Sequence, residues 1–115
     1  MKVAIIGSRN LIVINLEDYI PRETTEIVSG GACGIDACAR EYAQAHNLKL
    51  IEFFLEYNKY GKAAPLKRNL QIINYADEVI AFWDGRSTGT KHVISNCKKQ
   101  NKKVTVHIIP LPERE

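Results

Sequence analysis

The run Ser29-Gly30-Gly31-Ala32-Cys33-Gly34-Ile35-Asp36 lies between a β-branched apolar stretch and an alanine-rich one. Glycines at a strand-to-helix turn let backbone N–H groups approach a ligand, and the positive end of the following helix favours an anionic one. The chemistry predicted is phosphate binding, with Gly30, Gly31 and Gly34 as backbone donors. The plainer alternative is a tight turn, with Asp36 favoured in the first turn of a helix by the dipole. Within the binding reading, Asp36 either accepts from a ribose hydroxyl or ties down the glycine loop, and the second role is preferred. The spacing is not G-x-G-x-x-G and the run follows the second strand, so no nicotinamide cofactor is implied and none is expected. A Walker A loop is excluded too, because no lysine and hydroxyl pair follows the last glycine.

Two other glycine-bearing loops point the same way. Gly7-Ser8-Arg9 follows the first apolar run and offers a hydroxyl and a guanidinium to a phosphate or sugar, although a glycine there is common in any α/β protein. Asp84 to Thr90 offers the hydroxyls of Ser87, Thr88 and Thr90 and the backbone donors of Gly89 and Thr90 at a second helix start. Its structural alternative is Thr88 as a helix cap. Arg68 supplies a planar fork suited to bidentate phosphate contact, against the alternative of a solvated arginine on a helix face. Tyr57 and Tyr60 stand near it in sequence as rings on which a base can stack.

These residues must be positioned by apolar runs that alternate with helix-like stretches, the pattern of an α/β domain with a parallel sheet buried on both faces. Strands are expected at Lys2 to Ile6, Thr24 to Ser29, Leu48 to Phe54, Glu78 to Trp83 and Val104 to Ile109, the last closed by Pro110 and Pro112. A short helix is expected over Asn15 to Tyr19, capped by Asn15 and ended by Pro21. Further helices are expected over Asp36 to His46, stopped by Asn47, from Pro65 to about Tyr75, and over Gly89 to Gln100. In the helix after Pro65, the residues Leu66, Leu70, Ile73 and Ile72 are read as facing the sheet. Glu56 to Ala64 reads as a loop. With a strand order of 3-2-1-4-5, the glycine-bearing loops converge at the carboxyl ends of the strands, where such sheets bind ligands.

Composition narrows the classes. A chain of 115 residues with 45% hydrophobic and 25% charged residues fits one globular domain. No apolar stretch reaches the roughly 18 residues of a membrane span, so no membrane partner is expected. Cys33, Cys38 and Cys97 have no metal-ligand spacing and are poor material for a disulfide framework, which suits a cytoplasmic location. A net charge of +3 permits phosphate contact without marking a nucleic-acid-coating surface. His46, His92 and His107 are far apart in sequence, and no metal site is expected. Trp83 reads equally as a pocket wall or a core residue.

The motifs together resemble a known group. Ser29 to Asp36 resembles the glycine motif of the DprA/Smf proteins, and Trp83-Asp84-Gly85-Arg86-Ser87-Thr88-Gly89-Thr90 resembles the second glycine motif of the LOG proteins. Both belong to the SLOG superfamily. The set of Gly7 to Arg9, Gly30 to Asp36, Tyr60 to Asn69 and Trp83 to Thr90 resembles most the small stand-alone YspA-type branch. The resemblance implies a Rossmann-like fold and a pocket for a nucleotide or nucleotide-derived ligand, which with the five apolar runs gives the expectation of a single Rossmann-like three-layer α/β domain with a five-stranded parallel sheet. It also implies that Arg68, with Asn69 beside it, belongs to that pocket, and that the domain pairs as a homodimer through a helix face.

Departures bear on catalysis. LOG phosphoribohydrolases carry a glutamate three residues after the motif threonine, where this chain has Val93. Without that carboxylate, cleavage of an N-glycosidic bond does not carry over and whether the chain is an enzyme stays open. Arg40 stands where DprA proteins have histidine, so single-stranded DNA binding is the lesser alternative. The leading expectation is binding or sensing of a phosphate-containing nucleotide or nucleotide derivative.

Overall fold

Residues along the first apolar run divide between two faces. Val3 and Ile5 belong to one buried cluster, and Ala4 and Ile6 to another. A strand places successive side chains on opposite faces, so burial of both sets puts this run at the centre of a covered sheet. In the computed structural model, which describes residues 1–109, that run is β1 (Lys2–Gly7). It pairs in parallel with β2 (Glu26–Ser29) on one side and β4 (Glu78–Trp83) on the other. Strands β3 (Lys49–Glu52) and β5 (Val104–Ile108) complete a five-stranded parallel sheet in the order β3-β2-β1-β4-β5. Pro110 and Pro112 lie outside the described residues.

Helix α1 (Ile35–Ala45) covers one face through Ile35, Ala39 and Ala43. Beside it the segment after β1 contributes Leu11, Val13, Leu16 and Ile20 to the same cluster. Helices α3 (Ala64–Tyr75) and α4 (Thr88–Lys99) cover the other face through Ile72, Ile73, Ala76, Val93, Ile94 and Cys97. Three layers result, as the α/β pattern predicts.

Helix ends follow the local sequence. After α1, Asn47 takes φ 53° and Leu48 N donates to Ala43 O at 2.9 Å. After α4, Asn101 takes φ 55° and Lys102 N donates to Cys97 O at 2.8 Å. Both helices thus close with an asparagine in the left-handed region and a bond back to the third residue from the helix end.

Several expectations are corrected. Glu56 to Ala64 is not a loop: α2 (Tyr57–Tyr60) and a 3-10 turn (Gly61–Ala63) fill it, because Glu56 O accepts from both Lys59 N and Tyr60 N. The helix after Asn15 shrinks to one 3-10 turn (Leu16–Asp18), and Asn15 caps no backbone group; its Nδ2 donates to Asp18 Oδ2 instead. In α3, Leu66 is exposed and Leu70 only half-buried, while Ala64, Asn69, Ile72 and Ile73 are its buried residues, followed by Ala76 just beyond the helix end. Two stripes one residue apart both satisfy the helical period, and docking on the sheet selected the one that carries Asn69 inward.

Candidate functional site

The chain runs from β1 outward to β2 and β3, then returns to β4 on the opposite side of β1. Such a reversal leaves a crevice at the carboxyl ends of the two strands, because the connections on either side diverge. A cavity of about 730 Å³ lies there. Its floor includes Ile6, Ile72 and Val93, and its walls come from the ends of β1, β2 and β4 with the first turns of α1, α3 and α4.

The cavity brings together Gly7, Ser8, Arg9, Gly30, Asp36, Arg68, Asn69, Ser87, Thr88, Gly89 and Thr90. Two other expected residues, Gly31 and Gly34, do not line it. Gly31 lies under the Phe54 ring, and Gly34 takes φ 67° against the backbone of Arg9. Asn10, Ala32, Pro65, Asp84 and Arg86 also line the cavity without having been singled out as ligand contacts. Asn10 continues the Gly7-Ser8-Arg9 loop, Ala32 lies within the first glycine run, and Asp84 and Arg86 belong to the second glycine turn, so loop membership is the available signal. Pro65 has none.

Ser8 is almost fully buried and works between strands. Its N–H donates to Phe82 O at 3.1 Å, and its Oγ accepts from Asp84 N at 3.3 Å. The hydroxyl therefore latches the β1 loop to the β4 turn across the crevice. That turn is held from within: Asp84 Oδ1 accepts from Arg86 N at 2.8 Å and Ser87 N at 2.7 Å. These backbone donors, those of Ser87 and Arg86 in that order, hold the Asp84 carboxyl below its usual value. Trp83 does not line the cavity; its indole N–H donates to Ser87 O at 3.0 Å and braces the same turn. Ser87, rather than Thr88, caps α4, accepting at Oγ from Thr90 N at 3.4 Å.

Asp36 is mostly buried, and its Oδ2 accepts from Ala32 N at 3.1 Å, so it fixes the glycine loop. Burial raises its carboxyl above the ordinary range, while the Ala32 N–H and the Arg68 charge oppose that rise. Arg68 is half-buried. Its Nη1 donates to Gly30 O at 3.1 Å and its Nε to Asn69 Oδ1 at 3.0 Å. Among the described residues these bonds leave the Nη2 edge of the fork without a hydrogen-bond partner, an edge that a ligand can meet. Burial lowers the guanidinium from its usual value, Asp36 counters this, and the charge of Arg9 lowers it further. Three arginines thus share the cavity with two aspartates, Asp36 and Asp84, both of which accept from backbone N–H groups of their own loops.

Among the described residues no group of three His, Cys, Asp or Glu side chains is placed to hold a metal ion, and no helix is long and apolar enough to cross a membrane. His92 is half-buried and bonded to Asn96, and His107 stacks on Phe82. Cys33, Cys38 and Cys97 are free thiols. Compared with family models, with curated proteins and with solved structures, the chain has no significant match.

Proposed function

We propose that this protein binds a phosphate-containing nucleotide or nucleotide derivative in the cavity at the carboxyl ends of its strands, as a binding or sensing domain. The observation that carries the reading is that Arg9 and Arg68 line the same cavity as the first turn of α4. Two guanidinium groups held near one another repel, and an anion between them removes that cost. The start of α4 adds the positive end of a twelve-residue helix. Size agrees as well, since about 730 Å³ falls within the range of small-molecule and cofactor sites. The SLOG resemblance points to the same class of ligand.

Binding is favoured over hydrolysis by the state of the carboxylates. Val93 is buried in the cavity floor at the position where a LOG-type glutamate would stand. Asp36 and Asp84 are committed to holding their loops, which suits positioning better than proton transfer.

A calorimetric and thermal-shift panel of nucleoside mono-, di- and triphosphates tests the reading. Saturable binding by at least one of them is the expected result. No binding and no thermal shift with any member would refute it. Release of free base from a nucleoside monophosphate, followed by chromatography, would instead restore the hydrolase.

A further inference from the structure

Phe54 has no part in the core. It belongs to neither buried cluster, and 57% of its surface is in solvent. Yet the ring is seated. One edge lies over Gly31, where a Cβ would fall 2.8 Å from Phe54 Cδ1 and 3.1 Å from Cζ, so any larger residue at 31 would displace it. Gly31 is itself gripped by Arg40, whose Nη2 donates to the Gly31 carbonyl at 3.3 Å and to Glu52 at 3.0 Å. The next residue back is Gly30, whose carbonyl accepts from Arg68. A second exposed ring, Tyr57, opens α2 three residues after Phe54.

An aromatic ring that is seated on one edge, open to water and separated from a half-buried guanidinium by the Gly30-Gly31 pair is a stacking surface beside an anion site. Contact with Gly31 positions the ring before a ligand arrives, which lowers the cost of ordering it on binding. Resting on the phosphate-site reading above, we infer that Phe54 is the platform for a nucleobase. The ligand is then a nucleotide whose phosphate enters the cavity at Arg68 and whose base lies over the glycine loop outside it. Every base presents a π-face, so the platform selects for a base in general, and purines, with the larger face, exceed pyrimidines.

The test compares ribose 5-phosphate with the adenosine, guanosine, cytidine and uridine 5′-monophosphates by calorimetry, on the wild-type protein and on Phe54→Leu and Phe54→Tyr. Wild type is expected to bind the nucleotides roughly 5- to 100-fold more tightly than ribose 5-phosphate. Phe54→Leu, which keeps an apolar cover on Gly31, erases that difference and leaves ribose 5-phosphate affinity unchanged; Phe54→Tyr preserves the difference. Equal wild-type affinity for nucleotide and ribose 5-phosphate overturns the platform while the phosphate site stands. So does a Phe54→Leu variant that weakens both ligands alike, the mark of a ring that only braces the loop. Failure of all five ligands to bind overturns the platform, and the phosphate site falls with it when the nucleoside di- and triphosphates fail as well. Salt-sensitive binding of a single-stranded oligonucleotide without any mononucleotide binding overturns the inference as well.

Discussion

Arg68 donates from Nη1 to the carbonyl of Gly30, 38 residues earlier in the chain, and a Cβ at Gly30 would sit 2.5 Å from that same nitrogen. The guanidinium reaches the cavity because residue 30 has no side chain. Glycine is required there for close approach, since Gly30 is not among the glycines with positive φ.

Gly30→Ala is therefore expected to push the guanidinium off the loop and crowd Asp36 Oδ2, which a Cβ would meet at 2.9 Å. The cost of such overpacking is about 1–3 kcal/mol, with a parallel loss of phosphate affinity. Gly89→Ala is the contrast, because its Cβ meets nothing within 4 Å inside a helix. It is expected to be neutral or to stabilise by up to about 1 kcal/mol. Urea melts of the two variants check this, and equal effects would contradict it.

Arg68→Ala is expected to weaken nucleotide affinity by about 1.5–3 kcal/mol, the worth of hydrogen bonds to a charged group, without unfolding the domain. Arg68→Lys keeps the charge but cannot bond Gly30 O, Asn69 Oδ1 and a phosphate with one fixed fork, so its affinity should fall between the two. Calorimetry decides, and an Arg68→Ala protein with wild-type affinity would remove Arg68 from the site.

Ser8→Ala leaves the Asp84 N–H without its partner in a place where Ser8 is only 2% exposed. A loss of about 1 kcal/mol is expected, at the low end because the bond is long. The β4 turn should loosen with it, read as faster amide exchange at Arg86 and Ser87. Unchanged exchange there would mean that the latch does not hold the turn.

Acid titration should separate the two cavity aspartates. Burial raises the Asp36 carboxyl above 3.8, so the folded protein holds that proton more tightly than the unfolded chain. Its contribution is full below 3.8 and is lost as pH rises through the folded value. Asp84 is shifted downward by the Ser87 and Arg86 N–H groups, so its contribution is present above 3.8 and is lost as pH falls through the folded value. Denaturant melts from about pH 2 to about pH 7 should therefore show wild type losing ground to Asp36→Asn as pH rises, and losing ground to Asp84→Asn as pH falls. Parallel profiles would contradict the two assignments.

Strand placement was legible because each strand carries its own apolar run. Val3 to Ile6 and Val79 to Phe82 are apolar at every position, as strands covered on both faces must be. Helix faces were less legible. Leu66 and Leu70 read as inward by hydrophobicity, yet the α3 stripe runs through Asn69, because a polar residue beside a cavity can be buried where its carbonyl oxygen finds the Arg68 Nε donor. The glycine run by itself presents Gly31 as a ligand donor. Its neighbour Phe54, 23 residues later, took the space instead, and no local pattern records that contact.

The sequence by itself determined the five strands, the parallel class of the sheet and the loops that would bear polar groups, because hydrophobic period and turn chemistry act over a few residues at a time. Only the tertiary structure decided which members of those loops face one another. Ser8 and Asp84, Arg68 and Gly30, and Phe54 and Gly31 are distant in the chain, and their contacts exist because the sheet order brings the ends of β1, β2, β3 and β4 to one rim. A side chain's partner at such a rim is set by packing between elements, which no single segment encodes.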